Sequence, residues 1–89
     1  MYLRSAVVGY GYWGSKHVRV LNGLPEVSVT VVDASEERRT EAQRAFPGVA
    51  VAETLDEVLD DVDAVVVATP PSSHYSLAKM ALEAGRHVL

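Results

Sequence analysis

Apolar runs and segments of helical periodicity alternate along the chain, in a pattern of five strands separated by four helices. Residues 3–8 form a short apolar run, and residues 27–32 are β-branched at nearly every position, as expected of strands buried on both faces. Between these runs, small or apolar residues and His17 recur at helical spacing from Gly14 to Leu21. The alternation predicts an α/β fold in which helices cover both faces of a parallel sheet.

The middle of the chain continues this alternation with shorter elements. Ser35 is predicted to cap a helix that runs to about Phe46, because two glutamates follow it in the first turn and Pro47 comes next. Short strands are predicted over residues 49–51 and 64–68. Between these strands, a short acidic helix is predicted from the spacing of Leu55, Val58 and Leu59.

The last predicted elements are a helix and the start of a fifth strand. Residues 69–71, Thr-Pro-Pro, end the fourth strand because proline has no N–H to donate to a sheet. Ser72 or Ser73 is predicted to cap the helix, and Gly85 to end it before a strand that begins at residue 87. The buried face of this helix is predicted to consist of His74, Leu77, Ala78, Ala81 and Leu82.

Composition narrows the class of protein. The 89 residues are 48% hydrophobic and 22% charged, which is ordinary for one globular domain over residues 1–89. A net charge of -4 argues against a nucleic-acid surface, and the absence of cysteine excludes thiol catalysis and thiolate metal sites. No apolar run approaches the roughly 20 residues of a membrane helix. A soluble cytoplasmic protein without nucleic-acid or membrane partners is the default expectation.

Residues 9–14 read Gly-Tyr-Gly-Tyr-Trp-Gly, a pattern that leaves the first predicted strand and enters the first predicted helix. In that context a G-x-G-x-x-G is typical of dinucleotide binding. Gly9 would permit the tight turn, Gly11 a close approach of a pyrophosphate, and Gly14 close packing of helix on strand. We therefore expect a three-layered, doubly wound Rossmann fold with strand order 3-2-1-4-5, and a ligand where that order reverses.

An acidic residue supports the glycine pattern. Asp33 ends the second predicted strand, at the place where a carboxylate can accept hydrogen bonds from both ribose hydroxyls of an adenosine. Because a carboxylate repels a 2′-phosphate, Asp33 favours NAD over NADP, although Arg38 and Arg39 lie close enough in sequence to counter it. Arg38 is therefore included among the candidate cofactor-binding residues.

The loop also carries three aromatic residues, Tyr10, Tyr12 and Trp13. Their side chains could cover the cofactor, line the mouth of a substrate site, or serve only as packing. Tyr12 and Trp13 are retained as candidate cofactor-binding residues, Trp13 chiefly through its backbone N–H.

Two further segments, together with this loop, resemble one family. The first segment is residues 68–74, Ala-Thr-Pro-Pro-Ser-Ser-His, and the second is residues 81–89, Ala-Leu-Glu-Ala-Gly-Arg-His-Val-Leu. On these motifs, essentially the whole chain resembles the N-terminal half of the Gfo/Idh/MocA oxidoreductases. The resemblance implies NAD(P)-dependent hydride transfer to or from a sugar, cyclitol or nucleotide sugar. It also implies that Thr69 and Pro70 lie near the nicotinamide-side ribose and pyrophosphate, and that His74 contacts the cofactor at the mouth of the crevice.

The resemblance further implies what residues 1–89 do not contain. The family has a C-terminal domain that supplies most substrate contacts and the oligomer interface, and a Glu-Lys-Pro motif after the fifth strand whose lysine acts beside the reacting carbinol. We therefore expect a truncated chain that holds the cofactor but carries no catalytic residue, that is inactive alone, and whose full-length form is a homo-oligomer.

Other interpretations stay open at this point. A non-catalytic module for another adenosine ligand, coenzyme A or S-adenosylmethionine, would also use a glycine loop and an acid at a strand end. For His74 the alternative is a histidine of the helix start that shares the face of Leu77 and Ala78. His17 and His87 are expected to be structural, hydrogen-bonded histidines. The acids from Glu53 to Asp63 are expected to form a solvated face rather than a metal site.

Overall fold

The computed structural model describes residues 2–89, and within them five strands form one parallel sheet. The strands are β1 (Leu3–Val8), β2 (Val27–Val32), β3 (Ala50–Ala52), β4 (Ala64–Val67) and β5 (His87–Val88). Their order across the sheet is β3-β2-β1-β4-β5, as predicted. The order reverses between β1 and β4, which places the crevice of the fold at the carboxyl ends of these two strands.

Helices lie on both faces of the sheet and are named α1 (Tyr12–Asn22), α2 (Glu36–Ala45) and α3 (Pro71–Glu83). Ser35 caps α2 as predicted, because its hydroxyl oxygen accepts a hydrogen bond from the Arg38 N–H at 3.3 Å. No helix within residues 2–89 is long and apolar enough to cross a membrane.

The side chains of β1 show how the core is divided. Val7 pairs in register with Val31 and Val66, and these three valines pack with residues of α1 and α2. Ala6 and Val8 face the other way, toward α3 and the residues before β4. Successive residues of a strand point to opposite faces, so the apolar run over residues 6–8 at the end of β1 serves two cores. The result is the predicted three-layered arrangement.

The short acidic helix is present where it was predicted, but it is not a continuous α-helix. The segment forms two single 3₁₀ turns, Leu55–Glu57 and Leu59–Asp61, on either side of Val58. A run of this length cannot offset the cost of starting an α-helix, and i→i+3 hydrogen bonds suffice to bury Leu55 against the sheet.

Two predictions about the last helix are also corrected. Helix α3 begins at Pro71, with Pro70 at the cap position, so neither serine caps it. Proline suits the first helical position because its φ angle is preset and it has no N–H to leave unsatisfied. The buried face of α3 is formed by Leu77, Met80 and Ala81, whereas His74 and Leu82 are exposed. Met80, which the predicted face omitted, packs against the core in place of Leu82.

At the amino ends of the central strands, Arg4 and Asp63 join β1 to β4. The Arg4 guanidinium donates to both carboxylate oxygens of Asp63, at 3.0 and 3.3 Å, and the Arg4 N–H donates to the same carboxylate at 2.9 Å. The Asp63 N–H returns a bond to the Arg4 carbonyl at 2.7 Å. These bonds lower the pKa of Asp63 from 3.8 to about 2.

The lowered pKa makes the stabilising effect of Asp63 dependent on pH. A carboxyl whose pKa is lower in the folded chain stabilises the fold above its unfolded value of 3.8 and loses that effect as the pH falls toward about 2. We therefore expect Asp63→Asn to lower the free energy of unfolding at pH 7, and the difference from the parent to shrink below pH 3.8 and to disappear only below about pH 2. Urea denaturation across this range measures it, with Asp56→Asn as the control. A difference that does not change with pH would contradict the assignment.

Candidate functional site

The turn between β1 and α1 depends on two glycines that leave no room for a side chain. Gly9 has a φ of +98°, and a Cβ atom on it would lie 3.0 Å from Cγ2 of Thr69 and 3.1 Å from the Ala68 carbonyl. A Cβ on Gly14 would lie 1.7 Å from the Gly9 carbonyl oxygen, well inside contact distance. The loop and the first turn of α1 therefore touch backbone to backbone, as the sequence pattern predicted.

Gly11 differs from these two glycines because the protein itself does not require it. It occupies the N-cap of α1 with φ −100° and ψ −150°, a conformation open to other residues. The nearest atom to a Cβ placed there is Nη1 of Arg38, at 3.6 Å. Because Gly11 has no side chain, the space in front of the N-terminus of α1 is open. Backbone N–H groups and the helix dipole favour an anion in that space.

Asp33 follows β2 directly and holds the glycine loop from one side. Its Oδ2 accepts the Tyr10 N–H at 2.8 Å, and its Oδ1 accepts the Ser35 N–H at 2.9 Å. The side chain is only 11% exposed. Each carboxylate oxygen has a second lone pair for another donor, so these bonds fix the carboxylate without saturating it.

Two arginines of α2 lie beside this acid. Nη1 of Arg38 is 3.8 Å from Oδ2 of Asp33, and its side chain is 55% exposed. Arg39 instead donates from Nη1 to the Asp33 backbone carbonyl at 2.7 Å. Arg38 is therefore the arginine that faces the space between Gly11 and Asp33, whereas Arg39 braces the backbone.

A single cleft of about 670 Å³ unites most of the predicted residues. It opens at the carboxyl ends of the strands, where the strand order reverses, as expected of ligand sites in doubly wound sheets. The predicted site residues that line it are Gly9, Gly11, Tyr12, Trp13, Asp33, Arg38, Thr69 and Pro70.

Two predicted site residues lie outside the lining of this cleft. Gly14 is buried against the loop, where it allows the close approach described above. His74 is exposed, and its Nε2 is hydrogen-bonded to the Thr69 carbonyl. A direct contact between His74 and a cofactor stays a prediction.

The aromatic residues of the loop divide between core and surface. Tyr10 is buried among the valines beneath α1 and α2, and burial raises the pKa of its phenol. Tyr12 and Trp13 are exposed at the rim of the cleft, where their rings meet edge to face with centroids 5.2 Å apart. Lys16 lies 4.6 Å from the centroid of the Tyr12 ring, within range of a cation–π interaction.

The cleft has an apolar wall that the sequence did not identify as part of a site. Leu55, Leu77 and Met80 line it together with the turn at residues 53–56. Helical spacing predicted core packing for Leu55 and Leu77 but not for Met80, and all three pack in or against the core. Nothing in the spacing distinguishes a residue that packs inward from one that also borders a cleft.

His17 and His87 are both exposed, so His17 does not belong to the buried face of α1 on which its spacing placed it. A structural, hydrogen-bonded role for the two histidines stays a prediction. Within residues 2–89, no three acidic or histidine side chains are grouped so that they could hold a metal ion.

Comparison with known proteins agrees with this geometry. Residues 3–89 match the family model described as the oxidoreductase family Gfo/Idh/MocA, NAD-binding Rossmann fold. The chain belongs to the Gfo/Idh/MocA family. The resemblance inferred from the loop and the two later segments is thereby confirmed, and so is the Rossmann fold.

Individual members of the Gfo/Idh/MocA family show the range of relatives. The chain is 43% identical over 91 residues to inositol 2-dehydrogenase of Rhodococcus erythropolis, covering 98% of this chain and 26% of that protein. It is 34% identical over 94 residues to UDP-N-acetylglucosamine 3-dehydrogenase of Acidithiobacillus ferrooxidans, covering 100% and 28%. The crystal structure of GenD2 from gentamicin A biosynthesis, in complex with NAD, has a TM-score of 0.90 and 43% identity, covering 98% and 26%. The chain thus spans about a quarter of the length of these relatives.

The contact between Gly14 and Gly9 gives a test of how the site is built. Gly14→Ala should lower the free energy of unfolding by about 3 kcal/mol or more, because α1 must move away from the loop. Gly48→Ala is the matched control: a Cβ there meets nothing within 4 Å, and the change should be less than about 1 kcal/mol. Chemical denaturation measures both. Equal stability of the two variants would show that the helix and the loop are not in contact.

Proposed function

We propose that this chain is the cofactor-binding part of an NAD-dependent dehydrogenase that acts on a hydroxyl or carbonyl group of a sugar, cyclitol or nucleotide sugar. The observation that carries the proposal is the cleft at the strand ends, with the open space over Gly11 at its middle and the fixed carboxylate of Asp33 beside it. When bound, the nicotinamide ring of the cofactor donates or accepts the hydride.

The residues of the cleft fit the two halves of a dinucleotide. The N-terminus of α1 offers N–H donors and a positive dipole end to a pyrophosphate, and Gly11 lets the phosphates approach the backbone. Asp33 offers one free lone pair on each carboxylate oxygen to the ribose hydroxyls of the adenosine. Thr69 and Pro70, at the end of β4, border the path toward the nicotinamide half.

The preference for NAD over NADP is part of the proposal. The carboxylate of Asp33 would repel a 2′-phosphate at short range in a partly buried site. The Arg38 guanidinium, 3.8 Å from that carboxylate, could pair with the same phosphate. We expect the repulsion to prevail, because Arg38 is more exposed than Asp33 and its charge is better screened.

The substrate class comes from the relatives rather than from the cleft. Inositol and UDP-N-acetylglucosamine are named as substrates of the two dehydrogenases described above. We propose that the groups which orient such a substrate and move its hydroxyl proton lie outside residues 1–89, and that the full-length protein is a homo-oligomer. A cytoplasmic location, where nicotinamide dinucleotides are available, completes the proposal.

Gly11→Ala provides the sharpest test of cofactor binding. Its Cβ would meet no backbone atom of the protein but would occupy the space proposed for the pyrophosphate. We expect at least tenfold weaker NAD binding by calorimetry, equivalent to about 1.4 kcal/mol, with a free energy of unfolding within about 1 kcal/mol of the parent. Asp33→Ala is less informative, because it also removes the acceptor of two backbone N–H groups.

The titration uses NAD, NADP, coenzyme A and S-adenosylmethionine in one buffer, with Gly48→Ala as the control variant. Saturable binding of NAD that is lost in Gly11→Ala supports the proposal. Parental affinity in Gly11→Ala would refute the placement of the pyrophosphate, and a preference for another ligand in the panel would refute the dehydrogenase.

Arg38→Gln tests the source of any NADP binding. Loss of the guanidinium should weaken NADP binding about fivefold, as for one exposed charge-assisted contact, and change NAD binding less than about twofold. Arg44→Gln removes a positive charge from the last turn of the same helix and is the control for net charge. An equal effect of Arg38→Gln on both dinucleotides would mean that Arg38 does not distinguish them.

A further inference from the structure

The turn between β4 and α3 is held by two side chains of the first helical turn. The Ser73 hydroxyl lies 2.8 Å from the Thr69 hydroxyl and 3.0 Å from the Pro70 carbonyl, so it can accept from Thr69 and donate to Pro70. The His74 ring is hydrogen-bonded through Nε2 to the Thr69 carbonyl. Because a carbonyl only accepts, Nε2 carries the proton.

Thr69 is therefore fixed at both its hydroxyl and its carbonyl, and its methyl group meets the glycine loop. A Cβ on Gly9 would lie 3.0 Å from that methyl carbon, so Thr69 occupies the space beside the loop. The backbone continues the contact, because the Ala68 N–H donates to the Val8 carbonyl at 2.9 Å. The β4–α3 turn thus bounds the loop on the side opposite Asp33.

His74 has no other evident task in the fold. It is exposed, belongs to neither cluster of core residues, and does not line the cleft. A structural histidine of the helix start would instead share the buried face of Leu77 and Ala81, which His74 does not. Within residues 2–89, the hydrogen bond of its ring reaches a residue that borders both the cleft and the glycine loop.

We propose that His74 is a positioning residue for dinucleotide binding: its Nε2–H fixes the Thr69 carbonyl, and Thr69 in turn fixes Gly9 from the β4 side. The inference rests on the proposed function, since the position of Gly9 matters for binding only if the loop receives the cofactor. It replaces a direct contact between His74 and the cofactor by an indirect effect through Thr69.

The test compares two substitutions of similar length. Gln places its amide nitrogen near the position of Nε2 and can donate to Thr69, whereas Met fills similar space without a donor. We expect His74→Met to bind NAD five- to tenfold more weakly than the parent by calorimetry, as for loss of one hydrogen bond, and His74→Gln to stay within threefold. Ser72→Ala, at an exposed neighbour in the same helical turn, is the control and should bind like the parent.

A second readout uses the ligand-free chain. In ¹H–¹⁵N spectra, His74→Met should shift the Gly9 and Thr69 amide signals, and His74→Gln should leave them closer to the parent. Thermal unfolding of each variant ensures that binding is compared between folded chains. Met and Gln variants of equal affinity, or an unchanged Gly9 signal in His74→Met, would overturn the proposal.

Failure of the proposed function would be distinguishable from failure of this inference. If the parent itself bound no NAD, the proposal that residues 1–89 hold the cofactor by themselves would be refuted, and with it a role of His74 in that binding. The spectra would still decide whether His74 fixes the loop. If the parent bound NAD and His74→Met bound it equally well, only the positioning role would be refuted.

Discussion

The contact between the Gly9 carbonyl and Gly14 is the constraint on which the rest of the site depends. Because no side chain separates them, α1 starts directly against the loop and its N-terminal N–H groups face the crevice. A longer distance would move the helix off the sheet, since Val18 on the same helix is fully buried among the valines of β1 and β2. One close approach thus serves core packing and ligand geometry together.

The glycine loop lies between the turn that follows β2 and the turn that follows β4, and each turn contacts it in a different way. On the β2 side, a carboxylate accepts backbone N–H groups from the loop and from the start of α2. On the β4 side, Thr69 packs its methyl group on Gly9 and is itself hydrogen-bonded to α3. The open space over Gly11 lies between them, so the protein itself already fixes the residues on both sides of the proposed phosphate site.

Sequence alone was enough to predict the sheet order and many of the residues that line the cleft, because strand burial and glycine spacing are local signals with a direct structural cause. It was less successful where tertiary contacts decide. Helical periodicity placed Leu82 rather than Met80 on the face toward the sheet, and the structure shows the reverse, because both belong to an apolar stretch and tertiary contacts decide between them. Spacing also failed to distinguish Tyr10, which enters the core, from Tyr12, which does not. The serines at the start of α3 resembled caps, but the prolines before them set the helix start.

The Arg4–Asp63 pair lies at the amino ends of the strands, opposite the cleft. It joins β1 to β4, the same two strands between which the crevice opens at their other ends. The Asp63 carbonyl also accepts the His87 N–H, which extends the join to β5. These bonds thus reinforce the pairing of β1, β4 and β5 at the edge of the sheet opposite the cleft. A substitution of this pair can therefore change the resistance of the fold to heat or acid without altering any side chain that lines the cleft.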